Sequence, residues 1–147
     1  MGHPDGKWSA ADVLEHLSLT YVGTARAFGK CLEGGRPLAT RVSLKQRLGI
    51  LVVTGLGYLP GGREAPATTR PKGAPAEDVA RDIGRKIEEM DKAIAECESR
   101  YGKATRLLDH PVLGPLTAHQ WRRFHVVHGK HHVKQIQNLR NSNLARA

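Results

Sequence analysis

The sequence predicts an all-α protein of one domain, and three observations carry that prediction. Apolar residues recur at spacings of three and four over three long stretches, 8–34, 75–102 and 116–139, as they do in helices that bury one face. Each stretch opens on a helix-start signal: Ser9 with Asp12, Pro75 with Glu77 and Asp78, and Thr117. No segment alternates well enough to supply a strand with a partner. At 147 residues the chain 1–147 is expected to form a single helical-bundle domain.

The first helix is expected from Ser9, with Trp8 stapling against Val13. Val13, Leu14, Leu17, Tyr21 and Phe28 form its apolar face, and Gly34-Gly35 with Pro37 ends it. His16 lies roughly 60° round from Val13, at the edge of that face rather than inside it. Leu44, Leu48, Leu51 and Val52 fit a short second helix. GILVVTG taken alone could be a strand, but a strand there would have no partner, so helix is expected. Residues 57–75 are rich in Pro, Gly and Ala and read as a long loop, either a site-lining lid or a plain linker. The helix from Pro75 carries Val79, Ile83, Ile87, Met90, Ile94 and Cys97 inward and stops near Tyr101-Gly102. Lys103–Pro115 reads as a second loop, because Pro111 and Pro115 exclude helix. The last helix is expected from Thr117 to about Asn138, with the tail NSNLARA frayed.

Composition narrows the functional classes. Hydrophobic content of 39% with 25% charged residues suits a soluble globular chain. No apolar run is long enough to span a bilayer, and MGHPDGKW lacks the layout of a secretory signal. Cys31 and Cys97 form no CxxC and read as free thiols of a reducing, cytoplasmic setting, with a disulfide as the alternative. The formal charge of +9 is spread along the chain, and aromatic residues make up only 5%. That argues for a solvated basic surface or an anionic small-molecule substrate over a nucleic-acid groove, which would need a contiguous basic face and would show steep salt dependence. Ser9, Ser18, Ser43, Ser99 and Ser142 stand outside any GxSxG setting. The glycines of 55–62 match no phosphate-binding loop.

The segment Leu116–Leu139 holds four histidines within eight residues, His125, His128, His131 and His132. On a helix, Trp121, His125, His128, His132, Ile136 and Leu139 share one stripe, at about 100° per residue. His128 and His132, four apart, form an HxxxH half-site whose imidazoles point the same way. A third ligand is needed, and His16 on the first helix is the candidate, since both apolar faces must enter one core. Three imidazoles on Zn²⁺ or Ni²⁺ leave positions open for a substrate, water or thiol.

Two segments also resemble a known family. W-S-A-A-D-V-L-E-H-L, with its histidine eight residues after the tryptophan, resembles the first metal motif of the DinB/YfiT-like superfamily. HPVLGPLT...W..FH..HGKHH...I resembles the second, in a little-characterised branch with HPxxGxLT. The likeness covers most of Trp8–Ile136. It implies a DinB/YfiT-like four-helix bundle, often dimeric, with a divalent metal on His16, His128 and His132. It also implies chemistry of the thiol S-transferase kind, in which the metal activates a low-molecular-weight thiol. One departure is visible: the family has a long helix ahead of the tryptophan motif, and only seven residues precede Trp8 here. Either Leu44–Val53 fills that slot or a partner subunit covers it, which favours a homodimer.

Other residues carry plainer alternatives. Each of the three candidate ligands is otherwise a hydrogen-bonded core or edge histidine. His125 and Gln135 are expected to pack or to hydrogen-bond beside the ligands or substrate. His131 is expected at the rim or in solvent, His110 and His119 as capping or exposed residues, and His3 is terminal. Asp12 reads as orienting His16 or as serving the helix start, Trp121 and Phe124 as core, and Cys97 as core. The functional expectation is a metal-dependent transferase or hydrolase acting on a small molecule. The alternative is a non-catalytic helical dimer that binds a small ligand or a protein, with a structural or incidental metal.

Overall fold

A computed structural model describes residues 7–59 and 64–146. His3 and positions 60–63 of the long loop lie outside them. The chain is mostly helical: α1 (Ala10–Glu33), α2 (Leu44–Ile50), α3 (Ala76–Tyr101) and α4 (Ala118–Leu144), with one antiparallel hairpin of β1 (Arg106–His110) and β2 (Gly114–Thr117). Among the described residues no helix is long and apolar enough to cross a membrane.

The helix starts form as their sequences dictate. Ser9 Oγ accepts from the Asp12 amide at 3.1 Å while the Asp12 carboxylate accepts from the Ser9 amide at 2.8 Å. Thr117 with Gln120 and Ser43 with Gln46 repeat this reciprocal cap on α4 and α2. Glycine ends the first and third helices, Gly34 after α1 and Gly102, at φ +102, after α3.

α1 lies mainly against α3, and α4 closes the other side. Leu17, Tyr21 and Phe28 of α1 meet Met90, Ile94 and Cys97 of α3 and Trp121, Phe124 and Val127 of α4. Phe28 and Ile94 are fully enclosed, and burial of each such side chain contributes about 1.5–3 kcal/mol. Ile87, expected inward, is 40% exposed, because the α3 stripe continues through Ile83 to Met90 instead.

Three expectations are corrected. The 103–115 segment is not simply a loop, since 106–117 forms the hairpin, with Leu107 and Leu116 fully buried and Trp121 Nε1 donating to the Leu108 carbonyl at 3.3 Å. Proline is tolerated in β2 because a two-stranded sheet has only edge strands. The second helix forms, but with the other face inward. Gly49 faces Leu113, where a Cβ would make ordinary contact at 3.8 Å from its Cδ2. Ile50 and Val53, the latter on a π-helical turn (Leu51–Gly55), are buried. Leu44, Leu48 and Leu51 form a solvent-facing stripe, 84%, 64% and 58% exposed. Finally, α4 continues through the expected frayed tail to Leu144.

Candidate metal centre

His16 sits in the second turn of α1, and its position follows from where the Ser9–Asp12 cap starts the helix. It is buried, 5% exposed, and so lies inside the core rather than at its edge. The Trp8 ring packs on it at 5.0 Å between centroids. Asp12 is occupied by the helix cap. The His16 imidazole is oriented by the 64–75 segment instead, where a 3₁₀ turn (Ala67–Thr69) presents the Thr69 carbonyl to His16 Nδ1 at 2.8 Å. The part of the long loop that is described therefore lines the site.

From α4, His128 and His132 project one above the other toward α1. His128 Nε2 lies 3.2 Å from His16 Nε2 and 3.1 Å from His132 Nε2. One ligand atom from each ring falls within 4.8 Å of the others. Gln135 Oε1 stands 2.9 Å from His132 Nδ1. His128 is stacked on Phe124 at 5.1 Å, and its Nδ1 has no hydrogen-bond partner among the described residues.

These contacts decide the tautomers. A carbonyl only accepts, so His16 carries its proton on Nδ1, and facing the Gln135 oxygen His132 does the same. In the neutral state both Nε2 atoms then point bare lone pairs at His128 Nε2. A proton on His128 Nε2 satisfies one neighbour at most, and a proton on its Nδ1 leaves three lone pairs converging. An extra proton is disfavoured at neutral pH. Burial holds His128 down to about 2, helped by the nearby His132 and His16, and burial holds His132 down to about 4. Burial lowers His16 as well, against the Thr69 contact. The arrangement fits a divalent cation, which would satisfy all three lone pairs together.

The remaining histidines separate from this cluster. His125 is buried among Tyr21, Trp121 and Phe124; its Nε2 pairs with Thr24 Oγ1 at 3.1 Å and its Nδ1 has no partner among the described residues. It packs as expected and makes no hydrogen bond to the three clustered rings. His131 stands at the rim, 5.2 Å from His132 between centroids, and His119 is exposed. His110, expected to cap or to face solvent, caps the hairpin turn, its Nδ1 accepting from the Val112 and Leu113 amides at 3.1 and 3.2 Å, and its ring also packs on Phe124 at 4.1 Å. Burial lowers it to about 4. The outer surface of α4 next to the cluster is an open, shallow depression formed by His131, Lys134, Gln135, Asn138, Leu139 and Ser142, all on this one helix, and none of the three clustered histidines lines it. Gln135 borders both.

Two residues of the site carry no recognisable sequence signal. Thr69 contributes only its backbone carbonyl. Glu15, adjacent to His16, is buried at 6% exposure and accepts the amides of Lys72, Gly73 and Ala74, each at 2.9 Å.

Neither curated proteins nor solved structures include a match to this chain. A family profile matches residues 2–139, nearly the full length, and the chain belongs to that family, described as a protein of unknown function, DUF1569.

Proposed function

We propose that this chain is a metal-dependent enzyme in which His16, His128 and His132 hold one divalent ion, zinc or nickel. The observation that supports it is the convergence of three Nε2 atoms, two of them on rings whose other nitrogen is already committed. Three neutral imidazoles leave coordination positions free, as catalytic sites do, whereas structural zinc sites are closed by four protein ligands. A bound divalent ion supplies Lewis acidity, lowering the pKa of a thiol or water and polarising a carbonyl.

The chain's residues contribute the rest. The Thr69 carbonyl and Gln135 amide orient two rings, and burial keeps all three unprotonated near neutral pH. Gln135 also borders the shallow outer surface of α4, where the Lys134 ammonium suits an anionic small molecule. Transfer to or from a low-molecular-weight thiol is favoured over hydrolysis by the resemblance to the DinB/YfiT-like superfamily, whose four-helix bundle α1–α4 would then form. A second reading is a non-catalytic helical dimer with a structural metal. Its support is the burial of the ligands, none more than 9% exposed, and the outward stripe of Leu44, Leu48 and Leu51 as a contact surface.

Metal content by mass spectrometry on tag-free wild type, His16→Ala and His132→Ala tests the site. The expected result is close to one equivalent in the wild type and loss from both variants. Metal retained by His16→Ala would break the link between α1 and α4. A metal-loaded wild type that turns over no thiol acceptor across a broad screen favours the dimer reading.

A further inference from the structure

Glu15 and His16 are consecutive on α1, and both reach the same stretch of chain. The His16 ring takes the Thr69 carbonyl, and three residues further on the Glu15 carboxylate takes three successive amides. Oε1 accepts from Lys72, and Oε2 accepts from both Gly73 and Ala74. Turning successive amides to one side requires Gly73 at φ +88, a conformation that side-chain-bearing residues rarely adopt. Among the described residues the carboxylate has no cationic partner within ion-pair distance. A buried carboxylate satisfied only by backbone amides is costly to place unless all of them stay aligned. The strap 69–74 is thus clamped at both ends by neighbouring side chains of one helix.

We propose that Glu15 is a positioning residue for the three-histidine site: its carboxylate seats the 69–74 strap so that the Thr69 carbonyl holds the proton on His16 Nδ1 and leaves Nε2 free for the ion. Without that seat the carbonyl moves away from the ring. His16 is then free to take the other tautomer, with its proton where the ion must bind. This inference rests on the metal reading for its effect on affinity, while its effect on the His16 tautomer is independent of any metal.

The experiment compares wild type, Glu15→Gln and Glu15→Ala. The glutamine variant matches glutamate in shape but sets an amide N–H against backbone donors, so it carries the test if the alanine variant does not fold. Long-range ¹H–¹⁵N spectra of the metal-free proteins read the His16 tautomer, and zinc affinity is measured against a competing chelator. Expected are an Nδ1–H tautomer in the wild type, its loss or mixing in Glu15→Gln, and zinc binding weakened roughly 10–100-fold, as for other groups that orient a metal ligand. A Glu15→Gln protein that melts at lower temperature but keeps the wild-type tautomer and zinc affinity overturns the inference and leaves Glu15 a purely structural residue. A wild type that binds no zinc overturns the metal reading, and the tautomer comparison then decides the positioning role alone.

Discussion

Removing His125 together with its partner should make the protein more resistant to acid. His125 is packed among three aromatic rings, and burial, reinforced by the nearby His110, holds its pKa down to about 3 against an ordinary value of 6.5. Its neutral form is the one compatible with the fold. Below about pH 6.5 the unfolded chain therefore binds a proton that the folded chain refuses, so stability falls as pH falls. The contribution is absent above the unfolded pKa and grows until the folded pKa is reached. At about pH 5 one such histidine costs about 2 kcal/mol, from the ratio of unfolded chains protonated to unprotonated. In Thr24→Val/His125→Leu both ends of the 3.1 Å hydrogen bond go together, which also eliminates the unpartnered Nδ1. At about pH 7.5 these effects nearly offset, leaving stability within about 1 kcal/mol of wild type. Urea unfolding followed by circular dichroism, with a chelator present, should show the wild type losing about 2 kcal/mol more than the double variant between those two pH values. Equal losses in both proteins would mean that His125 is protonated inside the fold, and the burial argument would fail.

Two further outcomes follow from the hairpin and from the thiols. Gly114 holds φ +80, and a Cβ there would collide with the Gln46 side chain that caps α2. Gly114→Ala should cost on the order of 1–3 kcal/mol by thermal or urea unfolding, and wild-type stability would contradict the turn geometry. Cys31 and Cys97 are fully buried, and the Cys97 thiol is pushed up to about 12 by burial and by the adjacent Cys31. Neither should react with a disulfide reagent in the native protein, and both should react in denaturant. Rapid native labelling would refute their burial.

The three clustered histidines were legible in the sequence, and the groups that orient them only in part. His128 and His132 are fixed on one face by helical spacing alone, and His16 follows because two amphipathic helices share a core. Gln135, three residues after His132, could be anticipated for the same reason. Thr69 and Glu15 could not: one offers a backbone carbonyl, and the other is a carboxylate whose partners are backbone amides 57 to 59 residues away. Neither contact leaves a pattern in side-chain type. The fold divides similarly. Caps and periodicity placed α1 and α3 to within a residue or two. The hairpin was hidden by its short strands and by Pro111 and Pro115, which are as common in loops as at sheet edges. The inward face of α2 is the one that carries Ile50 and Val53, a packing outcome that the apolar stripe of Leu44, Leu48 and Leu51 misrepresents.

His16 and His128 lie 112 residues apart in the chain, so the site closes a very wide loop. Bringing two such distant points together costs an unfolded chain on the order of 4 kcal/mol in configurational entropy. An ion gripping both ends would act as a reversible cross-link between the first and last helices, resembling a disulfide in its effect on unfolding but set by metal supply instead of redox state. The proximity of the two helices would then be under chemical control from outside the protein, and resistance to heat and proteolysis would rise and fall with the free concentration of the ion.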